Sequence, residues 1–134
     1  TKPPTDDVLD IDRIKQIHKA LPNTHLVMHG ASSVPQFYVN LINQYGGDIP
    51  ETYGVPIEAI QRGIDNGIRK INIDTDLRLA FTAAMYVTQA EDNKTFDPRH
   101  FNSLARHYMR DVCHSRFTEF NCTGQALTIS NAST

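Results

Sequence analysis

Two short apolar runs, HLVMH at 25–29 and IRKINI at 68–73, end in the same way. Each passes directly into a loop of small or polar residues, GASSVP at 30–35 after the first and DTD at 74–76 after the second, and each loop leads into a helical pattern. Runs this short, closed by turn residues, read as strands rather than helices. Most of their positions are apolar, as in strands covered on both faces, which is the habit of parallel sheets. Parallel neighbours need a crossover connection, and the segment between these two holds helical patterns that supply one. Two strands cannot form a covered sheet by themselves. The chain therefore reads as α/β, and as the end of a larger barrel or open sheet.

The remaining pattern is helical. Ile11, Ile14 and Ile17 predict a helix from Asp10 to about Leu21-Pro22-Asn23. Pro35 suits a first helical turn with Ser32 or Ser33 as N-cap, and Phe37, Leu41 and Ile42 carry that helix to Gly46-Gly47. A loop over 48–55 precedes a helix opened by Pro56, with Ile57, Ile60 and Ile64 on one side and Gly67 at its end. Thr75 or Asp76 can cap the next helix, which carries Leu77, Ala80, Phe81, Ala84 and Met85. Asp97-Pro98 begins the last one, striped by Phe101, Leu104, Tyr108, Val112 and Phe117, and residues 121–134 read as a flexible tail.

Composition excludes several function classes. A formal net charge of −2 and the lack of a basic run give nucleic acid no foothold. No apolar run approaches a membrane span and the first residues, TKPPTDDVLD, are not a signal peptide, so a cytoplasmic protein is expected. Two cysteines, Cys113 and Cys122, make no disulfide framework and have no metal-ligand spacing. Glycosylation triplets at Asn93, Asn121 and Asn131 carry no weight without a secretory signal.

Chemistry concentrates where the strands end, since the C-terminal edge of a parallel sheet is where sites are built. His29 stands at that edge. Gly30 after it gives the backbone freedom to approach a ligand, and Ser32 and Ser33 add hydroxyls beside a helix N-terminus, a combination suited to an anion such as phosphate. In the second loop Asn72 points to the face opposite Ile71 and Ile73, Thr75 again sets a hydroxyl at a helix start, Asp76 reads as an ordinary capping residue, and Asp74 is open to either a capping or a binding role. Loops after the last two strands of a (β/α)8 barrel commonly form its phosphate site.

The run LPNTHLVMHGASSVP, the segment GGDIPETYGVPIEAIQRGIDNGIRKINIDTDLRLA and the ending FDPRHF…RFTEF together resemble the C-terminal part of a class II fructose-1,6-bisphosphate aldolase of the Calvin-cycle-type branch. The resemblance implies a (β/α)8 barrel of which residues 1–134 are the last two strands with their helices. It implies reversible cleavage of fructose 1,6-bisphosphate to dihydroxyacetone phosphate and glyceraldehyde 3-phosphate, with zinc or another divalent metal polarising the ketone and a monovalent cation at the phosphate loop. It implies a homodimer or larger homo-oligomer. Carried over residue by residue, His29 matches a metal ligand, Gly30 and Ser32 the phosphate loop, Asn72, Asp74 and Thr75 the substrate motif, and Arg116 an arginine that reaches a neighbouring subunit's phosphate. The other metal ligands and the proton-transfer acid have no counterpart here, so no catalytic residue is expected in this segment, and alone it should be inactive. Two other readings stay open at this point: a tagatose-bisphosphate aldolase on the same scaffold, and a non-catalytic phosphate-binding half-barrel.

Overall fold

The computed structural model describes residues 8–126 and 128. Seven elements follow in order: α1 (Ile11–Ala20), β1 (Leu26–Met28), α2 (Gln36–Gln44), α3 (Ile57–Asp65), β2 (Ile68–Ile71), α4 (Thr75–Glu91) and α5 (Pro98–Glu119). The strands pair in parallel, with Leu26 opposite Ile68, Val27 opposite Lys70 and Met28 opposite Ile71. The skipped Arg69 marks a bulge. Both strands are shorter than the sequence suggests. Pairing nevertheless runs one step past β2, since the Asn72 N–H donates to the Met28 carbonyl at 3.0 Å.

Two apolar clusters hold the elements. One gathers Met28, Ala31, Val55, Ala59, Ile60 and Ile68, joining the strands to α3 and the loops around them. The other gathers Tyr38, Ile42, Ala80, Ala83 and Val112, where α4 packs against α2 and α5. Ala80, Ala83 and Ala84 are completely buried; their small side chains let α4 lie close to its neighbours. No helix among the described residues is long and apolar enough to cross a membrane.

The helix ends show which local signals decided the fold. Asp10 caps α1 by accepting from the Arg13 N–H at 2.8 Å, and Asp97 caps α5 by accepting from the Arg99 N–H at 2.9 Å, with Pro98 in the first turn. α5 stops at a left-handed Asn121, with N–H groups of Asn121 and Cys122 returning to the carbonyls of Thr118 and Phe117. That is a Schellman closure with Asn in the place usually taken by Gly. Residues 121 and 122 thus belong to the cap, and the tail expected beyond them falls mostly outside the described residues.

Two capping expectations are corrected. α2 begins at Gln36 with Pro35 at the N-cap and no side-chain cap, so neither Ser32 nor Ser33 caps it. α4 has Asp74, not Thr75 or Asp76, at its N-cap, and again no capping bond from that side chain. Both corrections have one cause: the loop over 30–35 leans across to the start of α4 and spends its hydroxyls there.

Candidate functional site

The loop after β1 and the loop after β2 lie side by side because their strands are neighbours. Asn72 Nδ2 is 2.9 Å from His29 Nδ1. Lys70 Nζ donates to the amide oxygen of Asn72, which turns the amide's NH2 toward His29. His29 Nδ1 is then the acceptor, and the imidazole is held at the exposed strand edge.

Ser32 supplies the second link. Its Oγ accepts from the backbone N–H groups of Asp74 at 3.2 Å and Thr75 at 3.1 Å. Ser32 is therefore the cap of α4, delivered from another loop. With its lone pairs committed to two amides, its own hydrogen is left to donate outward, beside the positive end of a 17-residue helix. Thr75 and Asp74 are exposed at the same end, and Asp74 pairs with Arg78 at 2.9 Å. Gly30 adopts φ +64 with open space around it, so its role is the left-handed turn after His29. A third segment braces this loop: the Val55 N–H donates to the Ser32 carbonyl at 3.0 Å, and Gly54 passes so close that an added Cβ would meet that carbonyl oxygen at 2.0 Å.

Beneath these groups lies Asp76, wholly buried. Its Oδ1 accepts from the Val34 N–H at 2.9 Å, and its Oδ2 faces the Ser33 N–H at 3.4 Å, Ser33 Oγ at 3.2 Å and Arg116 Nε at 3.1 Å. Arg116 is itself nearly buried, with a side chain 12% exposed, and also donates to Glu119 and Ser33. Capping does not describe Asp76. The missed signal was its phase: 76, 80, 83, 84 and 87 are the buried positions of α4, so an aspartate stands on the helix's apolar stripe.

Six of the seven expected site residues thus converge at one edge: His29, Gly30, Ser32, Asn72, Asp74 and Thr75. Arg116 stands behind them, paired with Asp76 rather than presented at that edge. The described residues contain no group of three or more His, Cys, Asp or Glu side chains able to hold a metal. A catalytic zinc takes about three protein ligands, so His29 fits as one donor of a set and not as a site in itself.

The pattern that defines the family Fructose-bisphosphate aldolase class-II matches residues 1–125. Curated relatives carry aldolase names. The chain is 58% identical to the fructose-bisphosphate aldolase class 2 of Synechocystis over 126 residues, covering 94% of this chain and 35% of that protein. It is 56% identical to a fructose-bisphosphate aldolase of Nostoc over 99% of this chain and 37% of the relative. A plasmid-borne fructose-bisphosphate aldolase of Cupriavidus necator is 56% identical over 94% of this chain and 36% of its own length. The chain therefore spans about a third of the relatives it matches. With matched residues running through both strand-end loops and into α5, this chain belongs to the class-II fructose-bisphosphate aldolase family.

Proposed function

We propose that this chain forms the last two strand–helix units of a (β/α)8 aldolase barrel and carries its phosphate-binding edge. The whole enzyme would cleave fructose 1,6-bisphosphate reversibly to dihydroxyacetone phosphate and glyceraldehyde 3-phosphate, as a homo-oligomer. The observation that carries this reading is the convergence of two successive strand-end loops, joined by the His29–Asn72 and Ser32–α4 hydrogen bonds.

In this reading each residue has a task set by its chemistry. Ser32 donates its hydroxyl hydrogen to a phosphate oxygen, and the α4 N-terminus with Thr75 adds positive field and a second hydroxyl. Gly30 keeps the turn that brings Ser32 forward. Asn72 and Asp74 orient the sugar portion, the amide by donating and the carboxylate by accepting from a substrate hydroxyl. His29 would give its Nδ1 lone pair to a divalent metal in place of the Asn72 amide, which then turns its NH2 to the substrate, and the rest of the barrel would complete the ligand set. Bound there, the metal supplies Lewis-acid polarisation of the substrate ketone. Proton transfer belongs to residues outside this chain.

The test uses the full-length enzyme carrying this sequence, with metal content and fructose bisphosphate cleavage measured together. His29→Ala should lose both. A His29→Ala enzyme that keeps stoichiometric metal and full activity would overturn the assignment, and absence of cleavage by the unaltered enzyme would overturn the function.

A further inference from the structure

The Asp76 cluster is not explained by the roles above. Its side chain ties together three separate parts of the chain: the N-terminal turn of α4, the loop over 30–35, and α5 through Arg116. The loop residue it grips hardest is Val34, a β-branched residue at φ +56. That conformation is sparsely populated and persists only where surrounding contacts over-determine it. The Val34 N–H to Asp76 bond at 2.9 Å, with the Ser33 amide and hydroxyl on the other oxygen, is such a contact. Ser32 stands two residues before Val34, and its hydroxyl must reach the Asp74 and Thr75 amides, so the turn at 33–34 fixes where Ser32 can point.

We propose that Asp76 is a positioning residue for phosphate binding, clamping the strained 33–34 turn so that Ser32 meets the α4 N-terminus, with Arg116 of α5 as the partner that holds it oriented. The proposal rests on the phosphate-site reading of the two loops. It assigns α5 a part in the site through the hold of Arg116 on Asp76.

Charge separates this role from its rival. A buried carboxylate acting only through its field opposes a phosphate, so removing its charge should tighten phosphate binding. A clamp predicts the reverse. In Asp76→Asn the amide oxygen can still accept from Val34, but the NH2 then faces the Ser33 and Arg116 donors, and the turn loosens.

The experiment measures steady-state kinetics of the full-length enzyme well below its unfolding temperature, with metal content alongside. Asp76→Asn is expected to raise KM for fructose 1,6-bisphosphate and for dihydroxyacetone phosphate about tenfold, a change equivalent to one charged hydrogen bond. kcat should change less than about threefold, and metal content should stay normal. Arg116→Lys keeps the charge beside Asp76 but loses the fork, and should raise KM by a smaller factor, about threefold. It also carries the test should the Asn variant fail to fold. An unchanged or lowered KM in a folded variant, even with reduced thermal stability, would leave Asp76 as a core ion pair and overturn the proposal. An unaltered enzyme that binds no sugar phosphate would instead overturn the functional reading beneath it.

Discussion

Gly54 is where the structure makes its sharpest steric demand. The loop over 48–55 crosses the back of the Ser32 loop. A methyl group at position 54 would sit 2.0 Å from the Ser32 carbonyl oxygen and 2.6 Å from the Ser33 carbonyl carbon, against the 3.4 Å at which ordinary contact begins. Both obstacles are backbone, so no rotamer change relieves them, and one loop must retreat by more than 1 Å. That retreat breaks the 3.0 Å Val55–Ser32 bond. Overpacking of this kind costs about 1–3 kcal/mol, and the lost bond adds about 1 kcal/mol. Gly54→Ala should therefore destabilise by about 2–4 kcal/mol. Gly30→Ala is the natural control. Its φ of +64 is unfavourable for alanine, but nothing lies within 4 Å of the added carbon, so only the left-handed backbone cost of about 1–2 kcal/mol applies. Urea unfolding of the full-length enzyme, compared at matched slope, measures the difference through the midpoint. Gly54→Ala should also raise KM for the bisphosphate, because the loop that moves carries Ser32. A Gly54→Ala midpoint within about 0.5 kcal/mol of the parent, or below the cost of Gly30→Ala, would refute the close approach of these loops.

Three further outcomes are expected. Ser32→Ala removes one hydroxyl donor to a charged ligand, so affinity for sugar phosphates should fall by roughly tenfold to a hundredfold, about 1.5–3 kcal/mol, at constant metal content; a loss of thermal stability with unchanged kinetics would reduce Ser32 to the cap of α4. The Arg99 side chain, and after it the Arg99 amide, holds the Asp97 carboxyl below the ordinary carboxylate range; this contribution to α5 is complete above the unfolded value and disappears as pH falls through the lowered folded one. Hydrogen exchange at the first turn of α5 should therefore rise only in strong acid, and Asp97→Asn, which keeps a capping oxygen, should abolish that dependence. Finally, the described residues leave an apolar cavity of about 440 Å³ along β2 and α5, lined by Ile64, Ile71, Ile73, Leu77 and Phe117 among others, with Phe117 59% exposed. Sedimentation should find residues 1–134 alone self-associating, with no aldolase activity; a soluble monomer that cleaves fructose bisphosphate would refute that reading.

Local signals carried the sequence reading where the partners are near in sequence. Asp10, Asp97-Pro98 and Gly67 marked helix ends correctly, and the apolar spacing found the five helices α1 to α5 of the described residues. The meeting of His29 and Asn72 was also legible, because parallel pairing and a period of two place both near one strand edge. What failed was the destination of side chains whose partners are distant. Ser32 has the type and position of a cap for the helix that follows it. Its amides lie 42 and 43 residues away instead. Asp76 read as a cap, and Arg116, 40 residues further on, as an arginine reaching a neighbouring subunit's phosphate, so their pairing went unseen. Their phases told otherwise. Asp76 shares the stripe of Ala80 and Ala83, and Arg116 shares that of Ala105 and Val112. One charge of each sign on two facing apolar stripes is a signal of a buried pair that periodicity alone can read.

That pair bears on why the site is built this way. A buried ion pair is poor evidence for stability, since desolvation offsets much of its attraction, and apolar residues of similar volume often serve as well. Asp76 differs from such a pair in its company. Two backbone amides and a hydroxyl, besides the guanidinium, point at its two oxygens. An apolar replacement would leave the Val34 amide buried without an acceptor, a cost of about 1–3 kcal/mol, and would remove what holds Val34 at positive φ. Directional bonds fix a turn; apolar contacts only exclude water from it. The scaffold supplies two parallel strands and a helix N-terminus wherever such a fold occurs. The carboxylate under the loop, braced from α5, sets which way the hydroxyl at that N-terminus faces.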